Sequence, residues 1–128
     1  MSSEIPAELK FAKSHEWLRL DGEVGTVGIS DHAQQELTDI VFVELPEVGA
    51  TFGAGDEIAT VESVKTASPI YTPVGGEVIE VNTALEDNPA KVNDEPYEGG
   101  WFFKLRLSNA SEADALLDAG QYKAQIGS

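Results

Sequence analysis

Residues 58–74 read IATVESVKTASPIYTPV, and this stretch decides what kind of fold the chain can adopt. Two runs within it, 58–64 and 69–74, are rich in the aliphatic and β-branched residues that favour strands. Two strand-like runs joined by a short connection predict a β-hairpin. The hairpin tip is therefore predicted at 64–68, with the side chain of Lys65 projecting into solvent.

Further strand-like runs lie on both sides of this hairpin. Each contains alternating or nearly alternating apolar residues and is bounded by turn-forming residues, which predicts short strands joined by turns. These runs are 24–29, 41–45, 78–81 and 101–107. Period-two alternation places Val41, Val43 and Leu45 on one face of their strand. Together with the hairpin, these runs predict a mainly β fold.

Two stretches are predicted as short helices. The first lies near 30–37, with Ser30 as its N-cap. The second lies near 111–119, where an S-x-x-D capping pattern precedes an apolar stripe and Gly120 is expected to end the helix. Turn-forming residues dominate 86–100, which is predicted as a long surface loop.

The composition limits the classes of partner. The chain has 128 residues, 23 of them acidic and 8 basic, and a formal charge of −15 at pH 7. This length predicts one domain spanning 1–128 that can bury its own core. Nucleic acid and anionic membranes need clustered cations to neutralise phosphates, and the few cations here are scattered. We therefore expect neither a nucleic-acid nor a membrane partner.

The residue types also limit the chemistry. The chain has no cysteine, which excludes disulfides, thiolate nucleophiles and cysteine zinc sites, and its two histidines predict no metal site. The first ten residues show no secretory signal, and no apolar run approaches the roughly 20 residues of a membrane span. These features predict a soluble cytoplasmic protein, or a mitochondrial one if a transit peptide was removed.

Lys65 is the candidate functional residue. Between residues 20 and 90 the sequence has fourteen acidic residues and Lys65 as its single cation. An ordinary solubilising turn lysine is the alternative, but surface lysines tolerated in this region should be more numerous. Catalytic lysines are activated by burial or by neighbouring cations, whereas an exposed turn near Glu62 offers neither. We therefore interpret Lys65 as an attachment point that a separate enzyme acylates.

The residues around Lys65 closely resemble the lipoylation hairpin of the glycine cleavage system H-protein family. The matching segments are VESVKTAS (61–68) and PVGGEV (73–78). Further segments resemble family blocks, in family order, over nearly the whole chain. They are SHEW (14–17), VGISDHAQ (27–34), VFVELP (41–46), GEVIEVN (76–82), PY (96–97) with GW (100–101), and LLD (116–118).

The resemblance implies a fold, a cofactor and site residues. The fold is the barrel-sandwich hybrid of lipoyl carriers, and the cofactor is (R)-lipoate attached to Lys65. Glu62, three residues before the lysine, and Gly76, eleven after it, match the positions that lipoylating enzymes favour. Ser14 and Glu16 match the family segment that lines a docking cleft for the loaded arm.

The resemblance also implies a set of partners. A pyridoxal-phosphate glycine decarboxylase (P protein) loads the lipoyl arm with an aminomethyl group. A tetrahydrofolate-dependent aminomethyltransferase (T protein) unloads it, and dihydrolipoyl dehydrogenase (L protein) reoxidises it. The chain itself is then a non-enzymatic carrier, expected to be monomeric, whose sulfurs arrive with the cofactor.

Three alternatives remain open at the level of sequence. An H-like lipoate carrier could serve lipoate relay or another pathway, and Pro69, where family members often carry Asp, is compatible with this reading. A biotin carrier uses a similar hairpin, but its lysine is typically flanked by methionines, whereas Val64 and Thr66 flank Lys65. An unmodified acidic interaction domain is the third alternative.

Overall fold

The computed structural model describes residues 6–126, and within them nine strands form two antiparallel sheets. The strands are β1 (Lys10–Phe11), β2 (Glu16–Asp21), β3 (Val24–Ile29), β4 (Ile40–Glu44), β5 (Thr51–Phe52), β6 (Glu57–Ser63), β7 (Ala67–Tyr71), β8 (Gly76–Val81) and β9 (Phe103–Leu107). One sheet has the order β1-β2-β3-β9-β8-β5, and the other has the order β4-β6-β7. The prediction of a mainly β fold is confirmed.

The helices are short and lie between or after the strands. They are α1 (Asp31–Leu37), α2 (Ala84–Asp87), α3 (Lys91–Asp94), a 3₁₀ helix (Ala110–Ala115) and α4 (Ala119–Ile126). The predicted helix near 30–37 is confirmed as α1, and the Ser30 hydroxyl caps it by accepting a hydrogen bond from the Ala33 amide at 3.1 Å. The stretch predicted as a loop, 86–100, instead contains α3 and the end of α2.

Apolar side chains from both sheets meet in one core. Phe103, Leu105 and Leu107 of β9 are buried, as their alternation requires, and they pack with residues of the β4-β6-β7 sheet such as Val43 and Val61. A second, smaller apolar cluster lies under α4 and consists of Leu9, Phe11, Trp17, Tyr97 and Tyr122. The larger core therefore fixes the hairpin strands, and the smaller cluster fixes the chain around the start of β2.

The predicted helix near 111–119 differs in the structure. Asn109 caps a 3₁₀ helix that ends at Ala115, and the next residues leave helical geometry. Leu117 is extended because its amide and carbonyl both hydrogen-bond to Phe11, each at 2.8 Å. Helix α4 then starts at Ala119, and Gly120 lies inside it instead of ending a helix. Pairing with a distant strand thus overrides the local helical pattern.

Strand β4 also departs from simple alternation. A bulge between Ile40 and Phe42 shifts the register against β6. Ile40 and Val43 consequently face the core, while Val41 and Phe42 are 53% and 51% exposed. The expectation that Val41 and Val43 share a face was wrong, because the extra residue in a bulge changes which side chains point inward.

Candidate functional site

The hairpin tip is held by contacts within the turn itself. Glu62 pairs with Ala67 as the last register pair of β6 and β7, and the Ser63 amide donates to the Thr66 carbonyl at 2.8 Å. The Ser63 hydroxyl oxygen accepts hydrogen bonds from the amides of Lys65 and Thr66 at 3.3 and 3.2 Å. These bonds satisfy the polar backbone of the turn and fix where Lys65 leaves it.

The side chain of Lys65 is exposed at this tip. Ion pairs within residues 6–126 engage Lys91, Lys104 and Arg106, but none involves Lys65. Its amino group is therefore accessible to another protein, and no internal carboxylate has to release it before it can react. A primary amine presented in this way can form an amide with an activated carboxylic acid.

A cleft of about 150 Å³ lies beside strand β7. Three parts of the chain form its walls: the turn before β2, helix α1 with the end of β3, and the middle of β7. Its lining residues are Ser14, His15, Glu16, Ile29, Ala33, Glu36, Leu37, Ser68, Pro69 and Ile70. The structure thus places Ser14 and Glu16 together, opposite the strand that follows the hairpin tip.

Glu16 supplies a shielded carboxylate to this cleft. Its side chain is 1% exposed, and its two oxygens accept hydrogen bonds from the Ser14 hydroxyl and from the Tyr71 amide, the latter at 3.0 Å. Burial raises the pKa of Glu16 because it disfavours the charged form, while these two hydrogen bonds oppose the shift. Since a carboxylate offers about four lone-pair positions, Glu16 can still accept a bond from a bound ammonium group.

The cleft is within reach of the tip. Pro69 lines the cleft and lies four residues beyond Lys65, which corresponds to roughly 13 Å of strand. β7 is an edge strand of its sheet, and an edge position tolerates the missing amide hydrogen of Pro69. The strand that leaves the tip therefore forms part of the same cleft as Glu16.

A hydrogen-bonded cluster behind the cleft was missed by the sequence analysis. The Tyr122 hydroxyl lies 2.7 Å from His15 Nδ1 and 2.6 Å from Ser30 Oγ, so α4 contacts two walls of the cleft. Burial raises the pKa of Tyr122 to about 12, and burial lowers the pKa of His15 with a further contribution from nearby His32. The residues are far apart in sequence, so no local motif could have shown this contact.

Glu62 and Gly76 lie in different parts of the fold. Glu62 is exposed on β6 close to the tip, whereas Gly76 is a buried residue of β8 in the other sheet. A Cβ at position 76 would lie 2.3 Å from the carbonyl oxygen of Arg106, so β9 leaves no room for a side chain. Close packing of two strands is thus one sufficient reason for glycine at this position.

Across residues 6–126 no group of three or more His, Asp or Glu side chains is arranged to hold a metal ion. In the same part of the chain, none of the helices has the length and apolar character needed to cross a membrane.

Comparisons with known proteins agree with this geometry. The sequence model of the family described as Glycine cleavage H-protein matches residues 9–128. A glycine cleavage system H protein from Alcanivorax borkumensis is 61% identical over 126 residues, covering 98% of each chain. Glycine cleavage system H protein 2 from Pseudomonas putida is 65% identical over 127 residues, again covering 98% of each chain.

The fold is similar to that of a solved structure as well. The crystal structure of a glycine cleavage system H protein from Mycobacterium marinum superposes with a TM-score of 0.90 at 38% sequence identity, covering 97% of this chain and 100% of that one. The family match and the relatives extend over nearly the whole sequence. The chain therefore belongs to the glycine cleavage H-protein family, the lipoyl carriers of the glycine cleavage system.

Proposed function

We propose that this chain carries (R)-lipoate as an amide on Lys65 and works as a non-catalytic shuttle between the P, T and L proteins. The observation that carries the proposal is the position of Lys65. It is exposed at the tip of a rigidly hydrogen-bonded turn, and it is the single cation between residues 20 and 90. An amine in this position is accessible to a lipoylating enzyme.

The cleft beside β7 is the proposed docking site of the loaded arm. The lipoyl group supplies the sulfur that accepts the aminomethyl group and the disulfide that takes up electrons. The Glu16 carboxylate, held in place by Ser14, accepts a charge-assisted hydrogen bond from the cargo amine. The apolar walls formed by Ile29, Leu37 and Ile70 restrict the access of water to that amine. Pro69 also lines this cleft, and it adds no charge there, in contrast to the Asp that family members often carry at this position.

The acidic surface fits a protein that meets several enzymes in turn. With a net charge of −15, the carrier is attracted to positively charged surfaces of its partner enzymes by long-range electrostatics. This attraction raises association rates without requiring a large permanent interface. We expect a monomeric, single-domain protein acting in the cytoplasm. Glu62, exposed next to the tip, is the proposed contact for the lipoylating enzyme, and Gly76 is its proposed distant determinant.

The first test is the site of modification. The chain is co-expressed with a lipoylating enzyme and lipoate, and its intact mass is measured. We expect a complete lipoyl increment in the wild type and in Lys123→Arg, an exposed lysine of α4, and no increment in Lys65→Arg. A wild-type chain that stays unmodified while a control carrier is lipoylated would overturn the proposal.

The second test is glycine-dependent loading. Lipoylated protein is incubated with glycine and a pyridoxal-phosphate glycine decarboxylase, and loading of the arm is followed by mass. We expect loading in the wild type. A protein that is lipoylated but never loaded would support the relay alternative, because that alternative needs the attachment lysine and not the cargo cleft.

A further inference from the structure

Three exposed apolar side chains lie at the hairpin tip or on the neighbouring strand β4. Val41, Phe42 and Val64, here called the tip patch, are 53%, 51% and 66% exposed. Phe42 pairs with Glu62, and Glu62 pairs with Ala67. Phe42, Glu62 and Ala67 therefore form one row across β4, β6 and β7. Directly paired residues of antiparallel strands project to the same face, and Phe42 therefore lies on the outer face of this sheet. Val41 in the bulge and Val64 at the tip are exposed next to this row.

The bulge in β4 creates this patch. In a regular strand, neighbouring residues project to opposite faces, so at most one of Val41 and Phe42 would face solvent. The register shift between Ile40 and Phe42 exposes both. The amide of Val64 donates to the Asp39 carbonyl at 3.0 Å, which ties the tip to the start of β4. The tip patch and Lys65 are consequently held in a fixed arrangement.

The surroundings of the tip patch are anionic. Exposed carboxylates of Asp39, Glu44 and Glu62 lie next to it in sequence or in register. An apolar surface with a carboxylate rim is complementary to an apolar pocket with a rim of Lys and Arg side chains. The matching partner is thus a protein with a basic surface.

The distance between the tip and the atom on which each enzyme acts determines which basic protein must contact this surface. A lysine side chain is roughly 6 Å long from Cα to Nζ by standard bond lengths. An enzyme that acylates Nζ must bring its active site within bonding distance of that atom, so its surface has to lie over the tip. Enzymes that act on the far end of the finished arm can remain farther from the tip by the length of the acyl chain. The acylating enzyme is therefore the partner whose position forces contact with the tip patch.

We infer that the tip patch and its carboxylate rim are the docking surface for the enzyme that acylates Lys65. The inference rests on the proposed function, since it requires amide formation at this residue. In the step served by the docking, the Lys65 ammonium group loses a proton to a base, and the neutral amine attacks the carbonyl carbon of an activated lipoyl donor, a thioester or an acyl adenylate. The nitrogen–carbon bond forms, the nitrogen gives up a second proton to a base, and the thiolate or adenosine monophosphate leaves with the electron pair of the broken bond.

The test compares substitutions at apolar residues that are all more than half exposed. Val64→Ser and Phe42→Ser remove apolar surface from the tip patch, and Val48→Ser removes it from a residue that is 61% exposed and outside the patch. Initial acylation rates are measured against carrier concentration with a purified lipoylating enzyme. We expect kcat/KM to fall about fivefold to twentyfold in each patch variant, mainly through KM, because an apolar contact is lost. Val48→Ser should stay within about twofold of the wild type.

A second measurement distinguishes a docking surface for the acylating enzyme from a surface that the other partner enzymes also contact. The patch variants, once lipoylated with excess enzyme, should be loaded by glycine and P protein at the wild-type rate. Equal losses in acylation and in loading would overturn the assignment to the acylating enzyme. If kcat/KM for acylation falls equally in Val64→Ser and Val48→Ser, or does not fall in the patch variants, the proposed docking surface is wrong. The proposed function would be unaffected by that result. A wild type that is never acylated would remove the proposed function and this inference with it.

Discussion

The hairpin tip and the carboxylate cleft share strand β7, yet they are built in opposite ways. At the tip, the Ser63 hydroxyl bonds to the amides of Lys65 and Thr66, residues two and three positions away. In the cleft, Glu16 bonds to the amide of Tyr71, which is 55 residues away in sequence. The tip amine is exposed and the cleft carboxylate is buried. One group is therefore placed by local contacts and the other by tertiary contacts.

This difference matches two separate tasks. Acylation requires an accessible amine, and hydrogen bonds within the turn present Lys65 at the surface, while the bond from Val64 to Asp39 ties the tip to β4. Retention of a labile cargo requires a charge shielded from water, and only packed elements can provide that shield. Variants in the cleft should therefore change cargo retention and leave acylation intact, while variants at the tip should do the reverse.

The largest expected effect is on cargo retention in Glu16→Ala. The loaded arm should lose its aminomethyl group about 10- to 100-fold faster, because a hydrogen bond to a charged group contributes about 1.5–3 kcal/mol. Wild-type and variant proteins are lipoylated, loaded with glycine and P protein, separated from the enzyme and assayed for formaldehyde release over time. Lipoyl incorporation, measured by intact mass, should be the same in both.

The control for this change is Glu86→Ala, which removes an exposed carboxylate of α2. It should lose cargo at the wild-type rate. An unchanged rate in Glu16→Ala would remove Glu16 from the docking site and would leave the cleft without its proposed acceptor.

The next effect concerns stability and tests how far recognition extends from the tip. Gly76→Ala should lower the free energy of unfolding by about 1–3 kcal/mol, because its Cβ would overlap the carbonyl oxygen of Arg106. Urea unfolding measures the change. Gly53→Ala is the control, since a Cβ there would meet only the Asp56 side chain at 3.5 Å.

The acylation rate of folded Gly76→Ala then tests whether recognition by the lipoylating enzyme extends beyond the tip. If glycine is needed there for packing alone, the folded variant should be acylated like the wild type. Slower acylation of the folded variant would instead support Gly76 as the proposed distant determinant for the lipoylating enzyme.

A smaller effect is expected for the support behind the cleft. Tyr122→Phe keeps the ring stacked on Phe11, with centroids 4.4 Å apart, and removes the hydroxyl that contacts His15 and Ser30. The free energy of unfolding should fall by about 1–2 kcal/mol because buried polar groups lose their partner. Acylation at the tip should not change. Tyr71→Phe, at a partly exposed tyrosine, should unfold like the wild type; equal values for both variants would contradict a buried role for Tyr122.

The smallest effect is a pH dependence carried by Glu16. Burial raises its pKa above the ordinary value of 4.5, so the folded state binds this proton more tightly than the unfolded state does. The stabilisation is complete below the unfolded pKa and is lost as the pH rises through the folded pKa. The stability of wild type relative to Glu16→Gln should therefore decline over this window.

Urea unfolding of both proteins from about pH 4 to about pH 8 measures this difference. Because all other carboxylates are common to the two proteins, their contributions cancel in the comparison. A stability difference that is constant, or that grows as the pH rises, would contradict the buried position of the carboxylate.

Much of the fold could be predicted because its signals are local. The alternation in β9, the turn between β6 and β7 and the Ser30 cap all depend on residues a few positions apart. The helix predicted near 111–119 failed for the opposite reason, since Leu117 pairs with Phe11, which is 106 residues away in sequence. The bulge in β4 likewise left no sequence signal, because the register against β6 decides which residues face the core.

By itself, the sequence determined the exposed lysine at a hairpin tip and the acidic surface around it, because turn chemistry and charge are properties of neighbouring residues. Packing between elements places Ser14 and Glu16 opposite β7, brings Tyr122 against the walls of their cleft, and exposes Val41 and Phe42 on the strand next to the end of β6. Those placements depend on packing between elements far apart in sequence. Burial, which gives the Glu16 carboxylate its raised pKa, exists only once these elements have packed together.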